Sequence, residues 1–233
     1  MKSIVSVLII LFLNFNSHDV DLHVTYKVIH KIDKQSKLDR LYSDMFDSYE
    51  TIHKELQFDL FINENTSVFQ VRNKLYSDID AASTVMNRVG YTGRFQQFKT
   101  HFIEEELEEE FGQFLIKGFY PEWVLTQEVK TIDSYTCFKA IYSYDVITPD
   151  KKVFNKFITA WYTPQIPYSF GPIGFGKLPG LIMELETNYA IYGVEKLSFS
   201  NSKSDKKMPE LKKLKIITEK QLDSLAIEFE KQN

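Results

Sequence analysis

Three patterns in this 233-residue chain predict a mainly β protein, an antiparallel sheet with a few helices. Apolar and polar residues alternate with period two over several separate segments. In the second half those segments follow one another through short turns, with no helical stretch between them. Glycine and proline concentrate in residues 164–180, between two such segments, as a stiff connection rather than a flexible linker.

The first segment is the cleanest. Val20, Leu22, Val24, Tyr26, Val28 and Ile32 share one parity, and Asp19, Asp21, His23, Thr25, Lys27 and Lys31 take the other. That is a half-buried antiparallel strand with one dry face and one wet face. The period then changes. Leu38, Leu41, Tyr42, Met45, Phe46 and Tyr49 recur at three- and four-residue steps, which predicts one amphipathic helix. Leu56, Phe58, Leu60 and Ile62 restore alternation. Residues 63–67 supply turn chemistry before Val68, Phe69 and Val71, so a hairpin is expected. Residues 73–90 carry only weak helical spacing.

From Phe111 onward strands are predicted over residues 114–117, 123–129, 135–144 and 153–162, with 145–150 as a turn. Two more, over 181–187 and 189–199, flank Asn188. Residues 201–215 are lysine-rich and read as a solvated connection. The closing helix has a well-specified start. Thr218 and Gln221 form a capping box, Ile217 and Leu222 a hydrophobic staple, and Leu222, Leu225, Ala226 and Phe229 its apolar face. No Gly/Ser linker divides the chain, so residues 18–233 read as one domain.

A hydrophobic share of 43% with 15% aromatic residues is ample for a core. A net charge of −4 argues against general nucleic-acid binding, which needs a basic face. At the N-terminus Lys2 precedes an apolar run, residues 4–13, that is shorter than the ~20 residues of a membrane span. Residues 1–17 read as a cleavable secretory signal, with an uncleaved anchor or a buried strand as the alternatives. No cysteine follows the run to carry a lipid anchor, so a periplasmic or secreted protein is expected. Cys137 is the sole cysteine, which excludes an internal disulfide and suits a small core residue.

Leu178, Pro179, Gly180 and Leu181 predict a type II turn, proline presetting its second position and glycine accepting the positive φ of its third. After the turn, Leu181, Met183 and Leu185 are expected on one face of a strand, with Ile182, Glu184 and Glu186 on the other. Pro164 and Pro167 cannot donate to a ladder, so the strand through Trp161 and Tyr162 must end or run along an edge there.

The order Ala160, Trp161, Tyr162, Thr163, Pro164, then Ile166 and Pro167, then Phe170, Gly171 and Pro172, then Phe175, then Leu178, Pro179, Gly180, Leu181 and Ile182 resembles the GLPGLI family. These are exported proteins found chiefly in the Bacteroidetes. Upstream, Tyr135, Thr136, Cys137, Lys139 and Ala140 resemble the run that precedes the hexapeptide in that family. The specific part of the resemblance is residues 135–182. Lys177 stands where the hexapeptide begins with glycine, so either Lys177 takes a positive φ or Gly176 assumes that role. The resemblance implies export, a curved bowl-like antiparallel sheet and no assigned activity. It further implies an association with TonB-dependent outer-membrane transport and the handling of surface polymers.

Motifs for chemistry are sparse. Gly174, Gly176 and Lys177 lack the spacing and the hydroxyl of a phosphate loop. His23 and His30, an odd number of residues apart on one strand, face opposite sides and cannot share a metal. No cofactor is indicated. The acidic run from Glu104 to Glu110 reads as a solvated surface, with cation binding or partner docking as the sharper alternative. Glu184 and Glu186, roughly 7 Å apart on one strand face, have a spacing that could serve glycoside hydrolysis, but solvent-facing strand carboxylates are far commoner. Trp123, Tyr135, Trp161, Tyr162, Phe170 and Phe175 gather near strand ends.

The leading expectation is a non-catalytic binding or accessory protein of the cell envelope. Residues 164–180 would form the lip of a groove, with Trp161, Tyr162, Phe170 and Phe175 contacting an apolar, peptide or glycan ligand or an envelope protein. The rivals are a hydrolase of glycan or peptide, and a structural interaction protein without a ligand cavity.

Overall fold

The computed structural model describes residues 20–31, 37–72, 76, 78–106, 113–148, 151–200 and 207–230. The apolar run of residues 4–13 lies outside them. The sheet contains β1 (Leu22–His30), β2 (Gln57–Ile62), β3 (Thr66–Val71), β4 (Gly93–Phe98), β5 (His101–Glu106) and β6 (Leu115–Phe119). It continues with β7 (Val124–Ile132), β8 (Tyr135–Ile147), β9 (Val153–Thr163), β10 (Leu181–Glu186), β11 (Ala190–Phe199) and β12 (Ile216–Thr218). The helices are α1 (Lys37–Met45), α2 (Tyr49–Glu55), α3 (Ile79–Arg88) and α4 (Glu219–Glu230).

The twelve strands form one sheet in the order β12-β6-β5-β4-β3-β2-β1-β11-β10-β9-β8-β7. Every pairing is antiparallel except that of β12 with β6. The mainly β, antiparallel architecture expected from the sequence is therefore what the chain adopts.

One face of the sheet is dry. Leu22, Val24, Tyr26 and Val28 of β1, Phe58, Leu60 and Ile62 of β2, Phe69 of β3 and Phe95 of β4 are all buried along it. Helices α2 and α3 cover part of this face through Ile52, Leu56, Ala82, Val85 and Val89. Residues 164–180 cover another part, burying Ile166, Phe170 and Leu178 in the same core. Buried hydroxyls meet the backbone groups left over: Tyr192 donates to the Val89 carbonyl at 2.8 Å and Tyr26 to the Ile182 carbonyl at 2.6 Å.

The sheet is strongly curled. Phe102 of β5, Phe119 of β6 and Tyr142 of β8 line one hollow, although β5 and β8 stand eight strands apart in the sheet order. On a flat sheet eight spacings would separate them by about 38 Å. The two wings must bend towards each other around the loop held between them, which the twist of antiparallel sheets permits.

Several elements differ from the sequence reading. The single helix expected over residues 38–49 is two, α1 and α2, broken at residues 46–48. β4 and β5 have no clear apolar alternation, because Gln97 and Glu104 take inward positions beside Phe95 and Phe102. Glu105 is buried, 2.5 Å from Arg94, so this part of the acidic run is not a solvated face; residues 107–110 lie outside the described residues. β12 and buried Met208 fall within or beside the stretch read as a solvated connection. The capping box forms as expected, with the Thr218 amide donating to Gln221 Oε1 at 2.9 Å and the Gln221 amide to Thr218 Oγ1 at 3.3 Å. Ala226 and Phe229 of the expected apolar face lie outside the described side chains.

The strand after the Gly/Pro turn also departs from simple alternation. Ile182 pairs with Tyr162 and Glu184 with Trp161, so Met183 is an extra residue in a bulge. Ile182 and Leu185 thereby share the dry face, and Glu184 and Glu186 keep the outer one. The expected grouping of Leu181, Met183 and Leu185 fails because a bulge changes the parity of everything beyond it.

Candidate functional site

The loop of residues 164–180 is built into the concavity of the sheet. Its ends close on themselves: the Leu181 amide donates to the Ile166 carbonyl at 3.0 Å, Ile182 to Phe170 at 3.1 Å and Lys177 to Ser169 at 2.8 Å. At its base the Gly180 amide donates to the Leu178 carbonyl at 2.7 Å, a tight three-residue turn about Pro179. The expected type II turn is absent because the Leu181 amide is spent on Ile166. Gly180 has a φ of 144°, and a Cβ there would fall 2.0 Å from the Thr163 carbonyl oxygen. Only glycine fits. Lys177 carries a φ of 65°, so it adopts the positive φ itself and Gly176 does not replace it.

Gln97 of β4 fastens the loop from below. Its side chain is fully buried, with Nε2 donating to the Phe175 carbonyl at 2.8 Å. Oε1 accepts from Ser67 Oγ at 2.9 Å and from the Gly171 amide at 3.3 Å. Trp123 fastens it from the other wing, its indole N–H donating to the Gly176 carbonyl at 2.9 Å.

Between these clamps the loop presents a β-turn. The Phe175 amide donates to the Pro172 carbonyl at 2.9 Å, with Ile173 at φ 42° and Gly174 at φ 76° in the central positions. Positive φ at both marks a type I′ turn. Glycine is at ease there, whereas a β-branched residue is strained.

The turn forms one side of an aromatic mouth. A hollow of about 180 Å³ is lined by Phe102, Phe119, Pro121, Tyr142, Ile173, Gly174 and Phe175. Phe175 lies 5.9 Å from Trp123, Trp123 6.3 Å from Tyr142, and Tyr142 stacks on Tyr144 at 5.6 Å. The result is a row of rings leading out of the hollow along β8. Phe119 is 68% exposed at the rim. Phe102 sits directly over Gly118, where a Cβ would lie 2.2 Å from its ring. Among the described residues no ionisable acid, imidazole or ammonium lines the hollow.

Of the four aromatics expected at a ligand surface, one, Phe175, lines the hollow. Trp161 lies on the outer face, because neighbouring residues of a strand point to opposite sides. Its ring is covered by Lys130, whose ammonium stands 4.4 Å from the ring centre. Tyr162 and Phe170 are buried in the core. Phe102, Phe119, Tyr142 and Tyr144 escaped sequence reasoning. Tyr142 and Tyr144 share a parity on β8, which was the one available signal.

The carboxylates Glu184, Glu186 and Asp59 are engaged in ion pairs. Glu184 is paired with Lys130 at 2.8 Å and Glu186 with Lys31 at 2.6 Å, so the two carboxylates do not act as a free pair. Asp59 meets His23 at 2.8 Å and accepts from Arg72 Nη2 at 2.7 Å on the outer face. Burial pushes its carboxyl up, yet the hydrogen bonds from His23 and Arg72 hold it below the usual carboxylate range. Cys137 is buried in the core, where desolvation raises its thiol. Among the described residues no group of three His, Cys, Asp or Glu side chains converges on a metal position.

A family model described as a protein of unknown function (Porph_ging) matches residues 148–184, which run through β9 and the loop into β10. No curated protein matches the chain. Among solved structures, the chain is similar to PNGF-II in space group C2, with a TM-score of 0.50 and 12% identity. The match covers 88% of this chain and 32% of PNGF-II. The same protein in space group P21 gives a TM-score of 0.49 at 11% identity, covering 88% and 33%. At such identity the likeness is one of fold alone, and the chain spans about a third of PNGF-II.

Proposed function

We propose that the protein is a non-catalytic binding or accessory component of the cell envelope, and that the aromatic mouth around Phe175 holds its ligand. The observation carrying this is the hollow itself: rings from both wings of the sheet and from the loop, without a charged lining group among the described residues. A hollow of about 180 Å³ is smaller than a site that engulfs a drug-sized molecule, ~300 Å³ or more. It suits a single ring, with the rest of the ligand lying along Trp123, Tyr142 and Tyr144. An extended polymer with flat apolar faces, a glycan chain or a peptide bearing rings, has that shape.

Export rests on the apolar run of residues 4–13, and the envelope setting on the resemblance of residues 135–182 to the GLPGLI family. That resemblance also motivates a role beside TonB-dependent outer-membrane transport. Glu184 and Glu186 each hold a lysine, so that pair lends the hydrolase reading no support.

An array of envelope glycans and extended peptides, probed with the wild type and with the Phe119→Ala/Tyr142→Ala variant, tests the reading. Binding by the wild type that the variant loses supports it. Equal binding by both, or none by either, contradicts it.

A further inference from the structure

The cleft between α2 and the end of β1 contains polar chemistry that the fold does not consume. Its volume is about 360 Å³, and Lys27, Val28, Ile29 and His30 of β1 line it with Glu50, His53 and Lys54 of α2. That volume is within the range of small-molecule sites. It shares no residue with the aromatic mouth. β1 pairs with β2 only as far as Lys27 opposite Gln57, whereas its pairing with β11 runs on to His30. The strand edge over Val28, Ile29 and His30 thus borders the cleft instead of a neighbouring strand.

His30 and His53 stack in this cleft with ring centres 4.4 Å apart and planes 8° apart. Nδ1 of His30 and both ring nitrogens of His53 are buried with no hydrogen-bond partner among the described residues. His53 is only 7% exposed. A neutral imidazole offers one donor and one acceptor, and leaving them unmet costs free energy that a ligand would recover.

The surrounding charges favour an anion. Behind the rings, Asp39 of α1 and Arg88 of α3 neutralise each other at 2.6 Å, with the Tyr49 hydroxyl close by but outside hydrogen-bond geometry. Two lysines, Lys27 and Lys54, line the cleft with one carboxylate, Glu50, which lies 3.8 Å from the Lys54 ammonium and leaves one positive charge in excess. Burial lowers His30, opposed by Asp39 and assisted by Arg88. Burial and the neighbouring His30 lower His53 to about 4, so both rings are neutral near neutral pH.

We infer that this cleft binds a small organic carboxylate: the two imidazoles donate to its oxygens, Lys27 and Lys54 attract its charge, and Val28 and Ile29 pack its apolar body. A carboxylate beside the rings raises their proton affinity, so binding takes up protons. Affinity then rises as pH falls, by up to about tenfold per pH unit for each proton taken up.

Isothermal titration of the full chain with benzoate at about pH 7.5 and about pH 5.5, with benzyl alcohol as the uncharged control, tests this. Expected are saturable benzoate binding that tightens at the lower pH and no binding of benzyl alcohol. The Lys27→Ala/Lys54→Ala variant should bind at least about tenfold more weakly, and its exposed side chains leave the fold intact. His53→Phe, which keeps a packed ring, should reduce the pH dependence to the share carried by His30. Should that variant fail to fold, histidine ring-proton NMR of the wild type decides: benzoate must move the His30 and His53 signals. Absent or pH-independent benzoate binding, equal binding of benzyl alcohol, unchanged affinity in the lysine variant, or shifts confined to other histidines would overturn the proposal.

Discussion

At Ile173 a β-branched side chain sits at φ 42°, in the first central position of the turn that walls the aromatic mouth. Such a conformation costs on the order of 1–3 kcal/mol and persists only where its surroundings enforce it. Ile173→Asn should therefore stabilise the fold by about 1 kcal/mol, raising Tm by about 2–4 °C, while weakening ligand binding at the mouth. Calorimetry and a binding titration check both halves, and a lower Tm would show that the isoleucine is not strained. Gln97 shows the opposite economy. Replacing it with Met fills the same space but leaves the Phe175 carbonyl and the Gly171 amide without their partner. A loss of about 2–4 kcal/mol is expected in urea unfolding. Neither role was legible in the sequence. An inward glutamine interrupts the apolar alternation that marks a strand, and positive φ at an isoleucine has no compositional signal.

Among the elements, those with one dry face were readable: β1, the β2–β3 hairpin, and the run from β8 to β11. β4, β5 and β12 were not, since their inward positions include Gln97 and Glu104 or their length is too short for a period. The Met183 bulge was equally hidden, because an inserted residue leaves no mark beyond the parity it shifts. The packing of β5 on β6 carries a prediction. Gly118→Ala places a methyl where the Phe102 ring now lies, so the ring must leave the hollow and affinity at the mouth should fall several-fold, read by the same titration. The meeting of α2 with β1 carries another. His53 is held neutral in the fold at a pKa of about 4, while an unfolded chain protonates it near its ordinary value. The unfolded state therefore binds the extra proton, and stability is lost as pH falls from about 6.5 towards about 4, by up to about 3 kcal/mol. Urea unfolding across that range should show the decline, and His53→Phe should reduce it.

Over the whole molecule, the curl of the sheet makes a site out of residues that are far apart along it. The bowl-like curvature implied by the GLPGLI resemblance agrees with Phe102, Phe119 and Tyr142 meeting in one hollow, yet alternation alone shows only strands and never their curvature. Spin labels at Phe119→Cys on β6 and Ser143→Cys on β8, with Cys137→Ala to remove the native thiol, should lie within about 20 Å, against the ~43 Å that nine spacings of a flat sheet would give. Whether the mouth is a ligand site is decided most directly by Trp123. The chain has two tryptophans, so Trp161→Phe leaves an indole that touches Phe175 and Tyr142 as the only reporter. Titrated with envelope glycan and peptide fractions, this variant should show a saturable change in Trp123 emission that Phe119→Ala removes. Emission that stays constant through every fraction, from a folded chain, would contradict the account.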